Sequence, residues 1–144
     1  MSRVNMKVEG GDQLIAALRK LGKEGEAAIA KVVTQTAMDV RSDIIKRYQR
    51  GPKTGVTYTR GNVEHTASAA GEAPATDTGR LVSGTDFKST GKLSAEVGNK
   101  VKYGPMLEFG TFKIAPRPAW LPAIEAAAPK YIKRLETALA RIMK

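Results

Sequence analysis

The chain of 144 residues has one histidine, His65, and no cysteine, and those two facts bound its chemistry early. Without cysteine there is no thiolate nucleophile, disulfide or thiolate zinc site, and a multi-histidine metal centre needs more than one imidazole. A Ser–His–Asp arrangement would have to be built on His65. That residue lies in a stretch with no regular pattern to hold an imidazole, so an exposed loop histidine is expected. Glu64, Glu72, Asp77 and Glu108 lack the spacing of paired catalytic carboxylates or of a calcium loop. Gly84 and Gly91-Lys92 suggest a phosphate-binding loop only superficially. Six residues separate the two glycines where the motif has four, and Leu93 stands where a Ser or Thr must reach magnesium. The expectation is a protein that is not an enzyme, with no catalytic residue, no cofactor and no metal.

Basic and aromatic residues give the positive signal. Arg47-Tyr48-Gln49-Arg50, then Lys53, Tyr58 and Arg60, interleave cations with rings as a backbone-tracking nucleic-acid binder does. No helix-turn-helix, zinc-finger or RRM signature accompanies them, so sequence-specific readout is not expected. Lys plus Arg is 24 and Asp plus Glu is 14, a net charge of +10, which favours polyanions. The excess is concentrated. Residues 41–60 carry six cations against Asp43, and residues 130–144 carry five against Glu136. Both runs also read as ordinary solvated helix faces. With 42% hydrophobic and 26% charged residues the composition is globular. No apolar run approaches the ~20 residues of a bilayer span, and the polar start, Met1 to Lys7, does not read as a secretory signal. A soluble single domain with no membrane partner is expected.

The elements that must position these residues follow from periodicity. Val4, Met6 and Val8 alternate with polar residues as in a short strand ended by Gly10-Gly11. Asp12 is placed to cap a helix carrying Leu14, Ile15, Leu18 and Leu21, with Gly22 and Gly25 marking a break or kink. A longer helix then aligns Ile29, Val32, Val33, Thr36, Ala37, Val40, Ile44 and Tyr48 on a core stripe. Residues 50–76, with Gly51-Pro52, Gly55, Gly61, Gly71 and Pro74, predict a long loop, mobile in a free subunit and ordered on assembly. Asp77 or Thr78 should cap a short helix that Gly84 ends. Phe87 to Val97 predicts a β-hairpin. Pro105 and Gly110 bound a short helix over 103–109, and Ala115-Pro116-Arg117-Pro118 must be extended. Leu121, Ile124, Ala128, Tyr131, Leu135, Ala138 and Ile142 predict a last helix that Pro129 kinks or divides. The fold class is α+β: a small, largely antiparallel sheet packed against two main helical segments, with one long loop.

Three stretches in order carry a resemblance: 71–81 (GEAPATDTGRL), 103–111 (YGPMLEFGT) and 115–123 (APRPAWLPA). With the opening Met6 to Gly10 and Leu14 to Leu21, they resemble the gp-ten-like morphogenesis family of tailed bacteriophages. The resemblance implies a structural virion protein of the neck, a tail-completion or head–tail joining component assembled in the host bacterial cytoplasm. It further implies a homo-oligomeric ring around the DNA path, with a hexamer favoured, touching neighbouring neck and tail proteins. The residues of the second stretch are also consistent with a capped helical turn that packs Met106 and Phe109 into the core. On the functional reading, Glu108, Phe109, Arg117 and Trp120 line a subunit or partner contact, with the flanking prolines stiffening Arg117 for a carboxylate. Arg47, Arg50, Lys53 and Arg60 would meet an acidic neighbour or make weak, non-specific DNA contacts. The alternative is a small basic non-specific nucleic-acid-binding protein.

Overall fold

The computed structural model describes residues 4–9, 11–50 and 53–144. Gly10, Gly51 and Pro52, residues 1–3, and the side chains of Val8, Leu14, Leu18 and Leu21, to which the sequence assigns a strand end, a loop start and a first helical stripe, lie outside the described residues. In chain order the elements are β1 (Asn5–Glu9), α1 (Asp12–Gln49), β2 (Thr57–Arg60), β3 (Val63–Thr66), α2 (Arg80–Gly84), β4 (Thr85–Gly91), β5 (Ser94–Asn99), α3 (Gly104–Phe109) and α4 (Trp120–Ile142). The class is α+β. β5 is the centre of a three-stranded antiparallel sheet ordered β1-β5-β4. It pairs Val97 with Met6 on one side and with Phe87 on the other.

α1 takes its length from a stripe that repeats at helical spacing. Ile29, Val33, Thr36, Ala37, Val40, Ile44 and Tyr48 are all buried, while Val32 is half-buried at the edge. The expected break falls at Gly22, whose φ of 75° is not helical. α1 packs on Ala95 and Val97 of β5 and, along its other flank, on α4. The two helices run antiparallel, since Tyr48 meets Trp120 and Asp39 meets Arg134 further back. α4 reaches the sheet edge as well, where the Tyr131 hydroxyl donates to the Glu9 carbonyl at 2.9 Å.

Four expectations change. α4 is one helix through Pro129, which does not divide it. Pro129 is exposed, and alanines at 126–128 precede it. The face of α4 turned to the core is set by Ala123, Ala127, Tyr131, Leu135, Ala138 and Leu139, whereas Leu121 is 57% exposed. Asp77 and Thr78 do not cap α2, because Gly79 is its N-cap and no side chain bonds there. The fourth change is the largest. Within the supposed loop 50–76, β2 and β3 form a hairpin, joined by Gly61-Asn62. Gly61 has φ +60°, the left-handed first position of a tight hairpin turn.

Candidate interaction surfaces

Glu108 lies on α3 yet serves α4. Its carboxylate accepts from the backbone N–H of Ala119 (2.8 Å), Trp120 (3.0 Å) and Leu121 (2.9 Å). These are the first amides of a helix with no local side-chain cap, groups that otherwise lack partners, and a carboxylate at that end also meets the positive end of the helix dipole. Glu108 is therefore buried, and it is not a surface contact. Trp120 is corrected in the same way. It is 3% exposed, and its indole N–H donates to the Tyr48 hydroxyl at 2.8 Å. Burial raises Tyr48 to about 12.

Arg117 sits between these two anchors. Its backbone N–H donates to Leu107 (2.7 Å), and its Nη1 donates to Ser68 Oγ at 3.1 Å. The side chain is half-buried, and its Nε has no partner among the described residues. Arg117 thus ties the α3–α4 connection to the chain that leaves the β2–β3 hairpin, and Gly71 N–H to Pro116 carbonyl (2.9 Å) makes a second tie. Gly110 completes the base of this connection. Its φ is +74°, and a Cβ there would meet the Ile114 carbonyl at 2.7 Å.

The base is buried, and the rim is apolar and exposed. Helix α3 inverts the expected pattern: it buries Glu108 and turns Met106 (54% exposed) and Phe109 (72%) outward. Phe112, in the tight 111–114 turn closed by Thr111 N–H to Ile114 carbonyl (2.8 Å), is 95% exposed. Tyr103, Ile114 and Leu121 are exposed too. Six large apolar residues are thus exposed within 19 residues of chain, more than the scattered single ones of an ordinary surface.

The β2–β3 hairpin carries Arg60 and His65, and the chain on either side of it carries Lys53 and Glu72. Arg60 Nη2 meets Asp77 Oδ1 at 3.0 Å. His65 is not the loose loop residue expected. Its ring lies edge-on to Tyr58 with 5.2 Å between centroids, and its Nδ1 is 4.0 Å from Asp77. Lys53 Nζ donates to the carbonyls of Arg47 (3.1 Å) and Ala73 (2.8 Å), and burial lowers its pKa. Glu72 accepts from Thr54 Oγ1, Thr54 N–H and Ala69 N–H, which pull its carboxyl down to about 2. Arg47 is bonded to Asp43 at 3.1 Å. Of the four expected polyanion contacts, Arg47, Lys53 and Arg60 are therefore held within the subunit. Arg50 stays exposed, with no ion pair among the described residues.

Among the described residues no group of acidic, histidine or cysteine side chains could hold a metal ion, and no helix is long and apolar enough to cross a membrane. A family model described as "Bacteriophage HK97-gp10, putative tail-component" matches residues 12–110. No curated protein and no solved structure gives a match.

Proposed function

The chain belongs to the HK97-gp10-like family of bacteriophage tail components, and from that membership we propose that it is a structural neck protein, a tail-completion or head–tail joining subunit that closes into a ring around the DNA path. The observation that carries this reading is the exposed apolar rim of α3 and the following turn, with Phe109 at 72% and Phe112 at 95%. A monomer gains nothing by holding two phenylalanines in water on a base fixed by Glu108 and Gly110. A subunit interface gains aromatic anchors. A ring needs heterologous contacts, so the rim packs on a different patch of the next copy and the geometry closes. A hexamer is the favoured copy number, as the family resemblance implies. Its neighbours in the particle are other neck and tail proteins, and its place is the virion.

Sedimentation velocity tests the reading. The parental chain should form a defined cyclic species, alone or with its neck partners. Phe109→Ser with Phe112→Ser should remain a folded single subunit with an unchanged far-UV spectrum. A parental chain that is strictly monomeric and never enters a particle would refute it.

A further inference from the structure

Two basic runs that lie some 80 residues apart in the sequence are folded together. The antiparallel packing of α1 and α4 leaves a seam along their outer side. Lys31 and Lys46 of the first helix and Arg50 just past its end flank it on one side, and Lys130, Lys133 and Arg141 of the second on the other. All six are exposed and have no ion pair among the described residues. Two further cations on the seam are already neutralised: Arg134 by Asp39 at 2.6 Å and Arg47 by Asp43 at 3.1 Å. These two aspartates are the acidic residues lining the seam. The α4 carboxylates do not line the seam: Glu125, five residues before Lys130, turns to the far side of the helix, and Glu136 lies one turn from Lys133, on the side of it away from Lys130.

We propose that the α1–α4 seam is a docking face for the phosphate backbone of duplex DNA, bound without regard to base sequence. Charge complementarity is the first argument, because six unneutralised cations line one face and both of its carboxylates are spent on the other two. Length is the second. The 23 residues of α4 extend about 34 Å at ~1.5 Å per residue, close to the ~34–36 Å of one duplex turn. The floor is the third. Ala126, exposed on α4, lies in it, so a backbone approaches there without a protruding side chain. Gln35, an amide able to read a base edge, instead donates to Asp39 at 2.9 Å. The exposed aromatic anchors that a protein partner would want are elsewhere, on the α3 rim. The inference rests on the ring reading for where the duplex lies, namely along the lumen, while binding itself belongs to the single subunit.

Fluorescence anisotropy of a labelled 30-base-pair duplex of arbitrary sequence tests this, titrated with the full chain at several salt concentrations. Six phosphate contacts predict a slope of log affinity on log salt near about −5, or roughly 10³-fold weaker binding at ~200 mM than at ~50 mM. Lys130→Gln, Lys133→Gln and Arg141→Gln together should bring the slope to about −3. A control of equal charge, Lys88→Gln, Lys100→Gln and Lys102→Gln, should leave it near that of the parent. Equal losses in the two triple variants would overturn the seam in favour of overall charge. Displacement of the labelled duplex by poly-glutamate at a lower charge concentration than unlabelled duplex requires would reassign the seam to an acidic protein and overturn the DNA assignment. Sedimentation of the same samples separates the two proposals. A monomer with the seam-dependent slope supports this inference while removing the ring, and a ring with no duplex affinity does the reverse.

Discussion

Replacing Glu108 by alanine removes the acceptor of the first three amides of α4, and its cost can be worked from the contacts. Leaving a buried N–H unsatisfied costs ~1–3 kcal/mol, and charged acceptors lie at the upper end. Ala119 and Trp120 are buried, so their amides cannot turn to solvent. Leu121 is 57% exposed, so water can replace part of its bond. Two full losses and one partial loss give about 3–5 kcal/mol. At roughly 2–4 °C per kcal/mol for a chain of this size, the midpoint should fall by about 10 °C. Glu108→Gln keeps one acceptor oxygen and turns an NH2 group toward the amides, so a drop of about 2 kcal/mol is expected. Urea and thermal unfolding of the isolated subunit, followed by circular dichroism, would give the order parent, Gln, Ala. Should Ala prove too unstable to purify, Gln alone carries the test. Both variants melting within 1 °C of the parent, with assembly lost, would refute the helix-capping account and return Glu108 to a subunit contact.

Arg117→Ala should lower subunit stability by about 1.5–3 kcal/mol, the scale of one charged hydrogen bond, because its guanidinium bonds Ser68 within the chain; an unchanged melt with failed assembly would show that its weight lies with a partner. Glu72 is depressed from 4.5 to about 2, so it contributes stability that is present above pH 4.5 and lost as the pH falls through 2. The protection of the Thr54 and Ala69 amides relative to free-amide exchange should fall across that window, and Glu72→Gln should show low protection already at pH 7; identical profiles for the two chains would refute the anchor. Tyr48 is raised from 10.0 to about 12, so its neutral form adds stability that is complete below pH 10 and disappears as the pH rises through 12, about 3 kcal/mol in all. Tyr48→Phe should remove that alkaline loss, and phenolate absorbance recorded with the melt is the check.

Local periodicity made the helices legible. The stripe from Ile29 to Tyr48 needs only 3.6-residue spacing to be read, and burial follows it residue by residue. The β4–β5 hairpin was equally plain, because Ala95 and Val97 alternate with polar neighbours and one face is buried. The β2–β3 hairpin escaped because all four residues of β2 are exposed, which leaves no apolar alternation to find. Its signal was of another kind: β-branched and aromatic residues on either side of Gly61-Asn62, a two-residue turn pair. The role of Glu108 could not be read from spacing, since its partners lie 11–13 residues further on. A clue existed in the start of α4, where no Ser, Thr, Asp or Asn precedes Trp120 closely and the acceptor must come from elsewhere. Met106 and Phe109 were assignable to the core on residue type, yet a helix of six residues is too short for its pattern to fix which face turns inward. The convergence of the 41–60 and 130–144 charge runs on one seam is tertiary information.

The joining role at the neck meets its most direct test in electron micrographs of lysates from a phage deleted for this gene and complemented with either the parental chain or the Phe109→Ser, Phe112→Ser variant. The account predicts filled heads and separate, unjoined tails in the deletion and in the variant complementation, and intact particles only with the parental chain. Complete, infectious particles in the deletion lysate would contradict it.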